Sequence, residues 1–242
     1  MATSKAIKEI YFIRHGETDW NAEKRLQGDD ETFAIDLNKN GIAQSVYTGK
    51  YLNDYRQMEK SFDTVFSSYQ QRAVTTANII KKEIGYDGET IIVNELKEMG
   101  CGTLTGTTEF ERETVNTFKL HNVLSTKHLT ILDPIEQTMS RLKNEEHLVT
   151  FYGIESRVSL IGRAQRALDK IIQCPGEKII VITHGALMAT IFSLIGNTFE
   201  YNEGKISKGS NCSIGYVKYE EGKFTIVTNP NVSHFDIYRK LD

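Results

Sequence analysis

Two short stretches of the 242-residue chain, residues 9–13 (EIYFI) and 178–183 (KIIVIT), are apolar at successive positions rather than alternate ones. A strand with that pattern must be covered on both faces, which is the mark of a parallel sheet packed between helices. Both stretches end in the same way: the first runs into Arg14-His15-Gly16 and the second into His184-Gly185. In open sheets of this kind ligands bind outside the carboxyl ends of the strands. The pattern therefore predicts an architecture and the edge of the sheet on which chemistry should occur.

The intervening segments fit that architecture. Asn38 is placed to cap a helix running to about residue 55. Residues 63–67 (DTVFS) read as a second buried strand, 69–84 as a helix stopped by Gly85, and 90–93 as a short strand. Ile154, Val158, Ile161, Leu168 and Ile172 recur at helical spacing, and Pro175-Gly176 ends that pattern. Residues 186–195 read as an apolar helix closed by Gly196. Residues 213–219 and 223–228 flank Glu220-Glu221-Gly222 and predict an antiparallel hairpin at a sheet edge. Residues 107–152 are mostly helical in character, charged and irregular. No linker, repeat or low-complexity run divides the chain, so a single domain is expected over 1–242.

Composition removes several functional classes. A net charge of −3 argues against a dedicated nucleic-acid binder. No window reaches the roughly 18 apolar residues needed to span a bilayer, and no secretory leader is expected from residues 1–8. Cys101, Cys174 and Cys212 are odd in number and widely spaced, which suggests neither a zinc site nor a disulfide framework. A cytoplasmic protein with reduced thiols is the expectation, and the glycosylation sequons at Asn211 and Asn231 are read as meaningless.

A third strand ends at Ser67-Ser68, with Arg72 one helical turn beyond. If the three strands are neighbours, His15, His184, Arg14 and Arg72 converge on one crevice. These residue types suit phosphoryl transfer. A phosphate ester is dianionic and repels anionic nucleophiles, whereas a neutral imidazole attacks without that penalty. The charge spread over the equatorial oxygens then needs fixed cations, and two guanidinium forks supply bidentate contacts. The glycine after each histidine lets backbone approach the ligand. A leaving alkoxide also needs a proton, and Glu98 is the candidate donor; that role requires it to be protonated at working pH. Charge neutralisation by side chains leaves no call for a metal or other cofactor.

Arg14-His15-Gly16-Glu17-Thr18 resembles the signature of the histidine phosphatase superfamily, in its phosphoglycerate mutase-like branch. Further segments are similar in family order: 19–28 (DWNAEKRLQG), 37–41 (LNKNG), 66–77 (FSSYQQRAVTTA), 98–106 (EMGCGTLTG), 153–156 (GIES) followed by Arg163, and 183–185 (THG). The resemblance implies a three-layer α/β/α sandwich with a mainly parallel sheet and an antiparallel edge. It implies His15 as nucleophile, Arg14, Arg72 and His184 as the phosphate pocket, and Glu98 as acid, with no metal. Thr18, Asn21, Gln27, Gly28 and Gly185 would contact substrate.

The chain departs from the family pattern at Asp36, where proline is usual, and at Cys101 and Leu104, where aromatic residues are common. The 86 residues from Glu98 to His184 lack the proline-bearing, basic insertion of the cofactor-dependent mutases. They leave room for a helical cap at about 107–152 that selects substrate. A phosphatase acting on a small phosphorylated metabolite is therefore expected ahead of a mutase or a silent phospho-ligand binder, with a homodimer left open. His121, His128 and His147, and Lys119, Lys127 and Lys143, read as a solvated face of that cap, and His234 as a packing residue.

Overall fold

The computed structural model describes residues 7–56, 61–111, 152–197 and 209–238. Most of the expected cap, with its histidines and lysines, lies outside the described residues. Six strands form one sheet: β1 (Lys8–Arg14), β2 (Thr64–Ser67), β3 (Thr90–Ile92), β4 (Lys178–Thr183), β5 (Ile214–Glu220) and β6 (Lys223–Asn231), in the order β3-β2-β4-β1-β5-β6. β1 to β4 run parallel; β5 is antiparallel to β1 and β6 to β5. The register puts Ile13 beside Ile182 and Ser67 beside Ile182, so the ends that carry His15, Ser68 and His184 are adjacent. The neighbourhood required by the sequence argument is present.

Side chains leave each strand on alternate faces. Ile10, Phe12, Phe66, Ile179 and Val181 enter one core with the helices α4 (Arg157–Gln173) and α5 (Gly185–Gly196). Tyr11, Ile13, Val65, Ile180 and Ile182 enter the other with α2 (Lys39–Arg56) and α3 (Gln71–Ile84). Every residue of β4 is buried, which is why the sequence pattern there has no alternation. The hairpin turn places Glu221 and Gly222 at φ of 51° and 83°. Two successive left-handed residues match the right-handed twist of the flanking strands.

Some boundaries and faces differ from the sequence expectation. A short helix α1 (Asp19–Ala22) follows the first strand end, where none was predicted. α4 starts at Arg157, with the Ser156 side chain accepting from Ser159 N at its N-terminus. Its buried face is Leu160, Ala164, Ala167, Leu168 and Ile171, while Val158 is exposed. The inward face carries two alanines, Ala164 and Ala167, which the pattern of large aliphatics passes over. α5 is closed by Asn197 in a left-handed conformation rather than by Gly196. The described residues end with α6 (Phe235–Tyr238); His234 is buried before it, with Nε2 3.0 Å from Thr48 Oγ1, which agrees with a packing role.

Candidate active site

The carboxyl ends of β1, β2 and β4 bring His15, Ser68 and His184 together. The His15 and His184 rings lie 5.1 Å apart, both buried. His15 Nδ1 is 2.7 Å from the carbonyl oxygen of Gly16. A carbonyl only accepts, so this bond assigns the proton to Nδ1 and leaves the lone pair on Nε2. Burial, reinforced by the charges of Arg72 and Arg14, holds the imidazole well below the ordinary histidine value of 6.5. The ring is therefore neutral near pH 7, with one nitrogen bare.

The loop that carries His15 is held by backbone contact. A Cβ on Gly41 would sit 2.0 Å from Glu17 O and one on Gly16 2.5 Å from Gly41 O, so the start of α2 packs on this loop only through glycine. Asn211 Nδ2 donates to His15 O at 3.0 Å, and Cys212 N donates to the same carbonyl at 3.2 Å. Asn211 also donates to Asn21 Oδ1 at 3.0 Å and lines a cleft with Arg14, Glu17, Asn21 and Gln44. Read in the sequence as a stray sequon, it is a site residue; no local signal marks it, because its role depends on β5 lying beside β1.

Both arginines face this cluster. Arg14 Nη1 donates to Gly209 O at 2.6 Å. Arg72, fully buried at the start of α3, donates through Nη2 to Gly28 O at 2.8 Å and through Nη1 to Glu31 at 3.3 Å. The Nε atoms of both are buried without a partner among the described residues, as is Nδ1 of His184. Burial lowers both guanidinium groups from their usual value, with the nearby Glu98 carboxylate opposing the shift. They remain cations, since arginine does not lose its proton in proteins. Ser68 Oγ accepts from Gln70 N at 3.3 Å and lies 2.7 Å from His184 Nε2. A proton donated from Ser68 to Nε2 places the ring proton of His184 on Nδ1, making that atom a third inward donor. Burial, with Arg72 and His15 adding to it, keeps His184 well below the usual value and so uncharged.

Glu98 sits on the opposite wall. Its carboxylate accepts from Met99 N at 2.8 Å and Ala186 N at 3.1 Å, with Leu187 N at 3.4 Å. It thereby covers the positive N-terminus of α5 from a separate loop. The fully buried Gln70 joins two walls: Nε2 donates to Gly28 O at 3.1 Å, and Oε1 accepts from Glu98 N at 2.7 Å.

The remaining sequence candidates are placed as follows. Gly28 has φ of +61° and orients Arg72 through its carbonyl. Gln27 is buried, with Oε1 unpartnered among the described residues. Asn21 Oδ1 is held by Thr18 N, Thr18 Oγ1 and Asn211 Nδ2, which leaves its own amide N–H groups without a partner among the described residues. Thr18 is fully buried, and its hydroxyl forms the capping box of α1 with Asn21, so its visible work is to hold Asn21. Gly185 opens α5 and is buried. Among the described residues no group of three His, Cys, Asp or Glu side chains is arranged to hold a metal ion, and no helix is long and apolar enough to cross a membrane.

Comparison with known proteins places the chain in a family. The chain is 32% identical over 229 residues to a metal-independent phosphoserine phosphatase of Arabidopsis thaliana, covering 94% of this chain and 83% of that one. It is 26% identical over 234 residues to a probable phosphoglycerate mutase GpmB of Salmonella choleraesuis, covering 94% and 95%. Its fold matches the crystal structure of a phosphoglycerate mutase from Bacillus anthracis with a TM-score of 0.72 at 21% identity, covering 98% of each chain. The sequence profile of the histidine phosphatase superfamily (branch 1) matches residues 10–123 and 122–231. By that match and by the 32% identity to the phosphoserine phosphatase, the chain belongs to branch 1 of the histidine phosphatase superfamily.

Proposed function

We propose that the protein is a phosphatase of small phosphomonoesters that works through a phosphohistidine on His15. The observation that carries this reading is the placement of His15: buried at a strand end, with Nδ1 2.7 Å from Gly16 O, which leaves Nε2 to attack, and with the charges of Arg72 and Arg14 close enough to disfavour its protonation. Nε2 forms a bond to phosphorus as the ester P–O bond breaks. Arg14, Arg72 and the Nδ1–H of His184 stabilise the equatorial oxygens. Glu98, which this role requires to enter the reaction protonated rather than as the carboxylate, gives its proton to the leaving oxygen. Water then attacks the phosphohistidine, its proton returns to Glu98, the N–P bond breaks and inorganic phosphate leaves. Asn21 binds a phosphoryl oxygen through its side-chain N–H groups, and the chain works as a single domain.

The phosphoserine phosphatase relative makes O-phosphoserine the first substrate to try. The mutase-named relatives keep phosphoglycerate interconversion as the second reading. The three cysteines are free thiols, which suits a cytoplasmic setting; sedimentation tests for a homodimer. The deciding experiment measures phosphate release from a panel of phosphometabolites, beside interconversion of 2- and 3-phosphoglycerate with and without 2,3-bisphosphoglycerate. Phosphate release with no stimulated interconversion is expected. Stimulated interconversion with negligible phosphate release would establish the mutase instead.

A further inference from the structure

Arg163 lies on the face of α4 that packs inward, among Leu160, Ala164, Ala167 and Leu168, and is only 5% exposed. A guanidinium in such a place is expensive unless every donor is used, so its partners show what it does. Nη1 donates to Glu95 O at 2.9 Å and Lys97 O at 2.6 Å, and Nη2 to Glu98 O at 3.2 Å. Nε and Nη2 also grip Glu155 as a fork, at 2.9 and 2.5 Å. Glu155 in turn exchanges bonds with Gly100: its N donates to Gly100 O at 2.8 Å, and its Oε2 accepts from Gly100 N at 3.3 Å. These contacts fall on residues 95–100, the stretch that carries Glu98. The carboxylate of Glu155 is held below its usual value: burial opposes the charge, and the bonds and charge of Arg163 overcome it.

We propose that Arg163, locked by Glu155, is a positioning residue for proton delivery, fixing the loop so that the Glu98 carboxyl meets the leaving oxygen. The proposal rests on the reading of Glu98 as the acid. The phosphate-binding side chains Arg14, Arg72, His15 and His184 have no hydrogen bond to Arg163 or Glu155, and the charge of Arg163, which is felt at His184, is kept in Arg163→Lys, so loosening the clamp in that variant should disturb the acid and spare the pocket. Arg163→Lys keeps the charge and loses the fork; Glu155→Gln keeps the size and loses the countercharge.

The test measures single-turnover phosphorylation of His15 by an alkyl phosphomonoester such as O-phosphoserine and by p-nitrophenyl phosphate. The proteins are wild type, Arg163→Lys, Glu155→Gln, Glu98→Gln and the double variant Arg163→Lys/Glu98→Gln, each with a melting curve. Displacement of a reacting group by about 1 Å costs on the order of a hundredfold, so the clamp variants should lose roughly 10- to 100-fold on the alkyl ester, in kcat rather than KM. They should lose about threefold or less on p-nitrophenyl phosphate, whose leaving group needs no proton. In the Glu98→Gln background, Arg163→Lys should add almost nothing. A selective Glu98→Gln with equal losses on both esters for Arg163→Lys, or additive losses in the double variant, overturns the positioning role alone. An unselective Glu98→Gln overturns the acid reading and this proposal with it. If Arg163→Lys melts below the assay temperature, Glu155→Gln carries the same comparison.

Discussion

Replacing Arg72 by lysine keeps the charge and removes the fork, and the structure sets the expected cost. A guanidinium has five N–H donors. Arg72 spends one on Gly28 O at 2.8 Å and one on Glu31 at 3.3 Å. Its Nε–H is buried with no partner among the described residues and, in the proposed mechanism, is the preorganised donor for a phosphoryl oxygen. An ammonium carries its three donors on one atom and cannot serve the Gly28 carbonyl and the phosphoryl group in the same two directions. Losing one preorganised donor to a transition-state oxyanion costs about 3 kcal/mol, or roughly a hundredfold in rate. Arg72→Ala also deletes the cation and its charge-assisted bond to Gly28 O, which keeps Gln70 Nε2 as a donor; the rate should fall by about a thousandfold or more, with about 1–3 kcal/mol lost in stability. Rapid-quench phosphorylation of His15 at saturating substrate reads the first effect, and urea unfolding reads the second. An Arg72→Lys enzyme within about threefold of wild type would show that charge alone suffices and that the geometry argued here is irrelevant.

Glu98→Gln should slow alkyl phosphates by about a hundredfold or more while p-nitrophenyl phosphate slows far less; equal slowing would remove Glu98 as the acid and make Glu95 the next residue to test. His15 and His184 are both held neutral well below 6.5, so the unfolded chain binds more protons than the native one as pH falls past about 6.5. Stability should be flat above that pH and fall below it; His234, pushed down to about 4, adds to the same trend between 6.5 and 4. Urea midpoints that do not change between pH 7.5 and 5 would contradict this. Exhaustive treatment with EDTA should leave hydrolysis intact, because the charge neutralisation is assigned to Arg14, Arg72 and His184; loss of activity restored by magnesium would refute that assignment.

The parts of the site that the sequence reveals are those where backbone geometry and chemistry coincide. β1 and β4 are apolar on both faces, so each announces a buried parallel strand, and the His-Gly at each end can be read without a structure. The sheet order that makes them neighbours comes from which hydrophobic faces pair, a long-range property that no local pattern carries. The α4 face was misread for a related reason: Val158 is larger and more apolar than Ala164 or Ala167, yet the alanines are buried and Val158 is exposed, because tertiary packing and not side-chain size decides which face turns inward. Asn211, Ser68, Gln70 and Glu31 were missed as site residues because each acts through a partner distant in sequence: Asn211 on His15 O, Ser68 on His184, Gln70 on both Gly28 and Glu98, Glu31 on Arg72. Thr18 shows the converse: the signature marks it for substrate, and the structure uses its hydroxyl to cap the short helix that holds Asn21.

The central claim is covalent, and a trapping experiment tests it most directly. The protein is mixed with radiolabelled phosphomonoester, quenched in alkali within one turnover, digested and mapped. The account predicts one phosphoryl group per chain, stable to alkali and lost in acid, on the peptide containing His15 and attached at Nε2, since Nδ1 is tied to Gly16 O. Phosphate release without labelled His15, or label on any other residue, would contradict it.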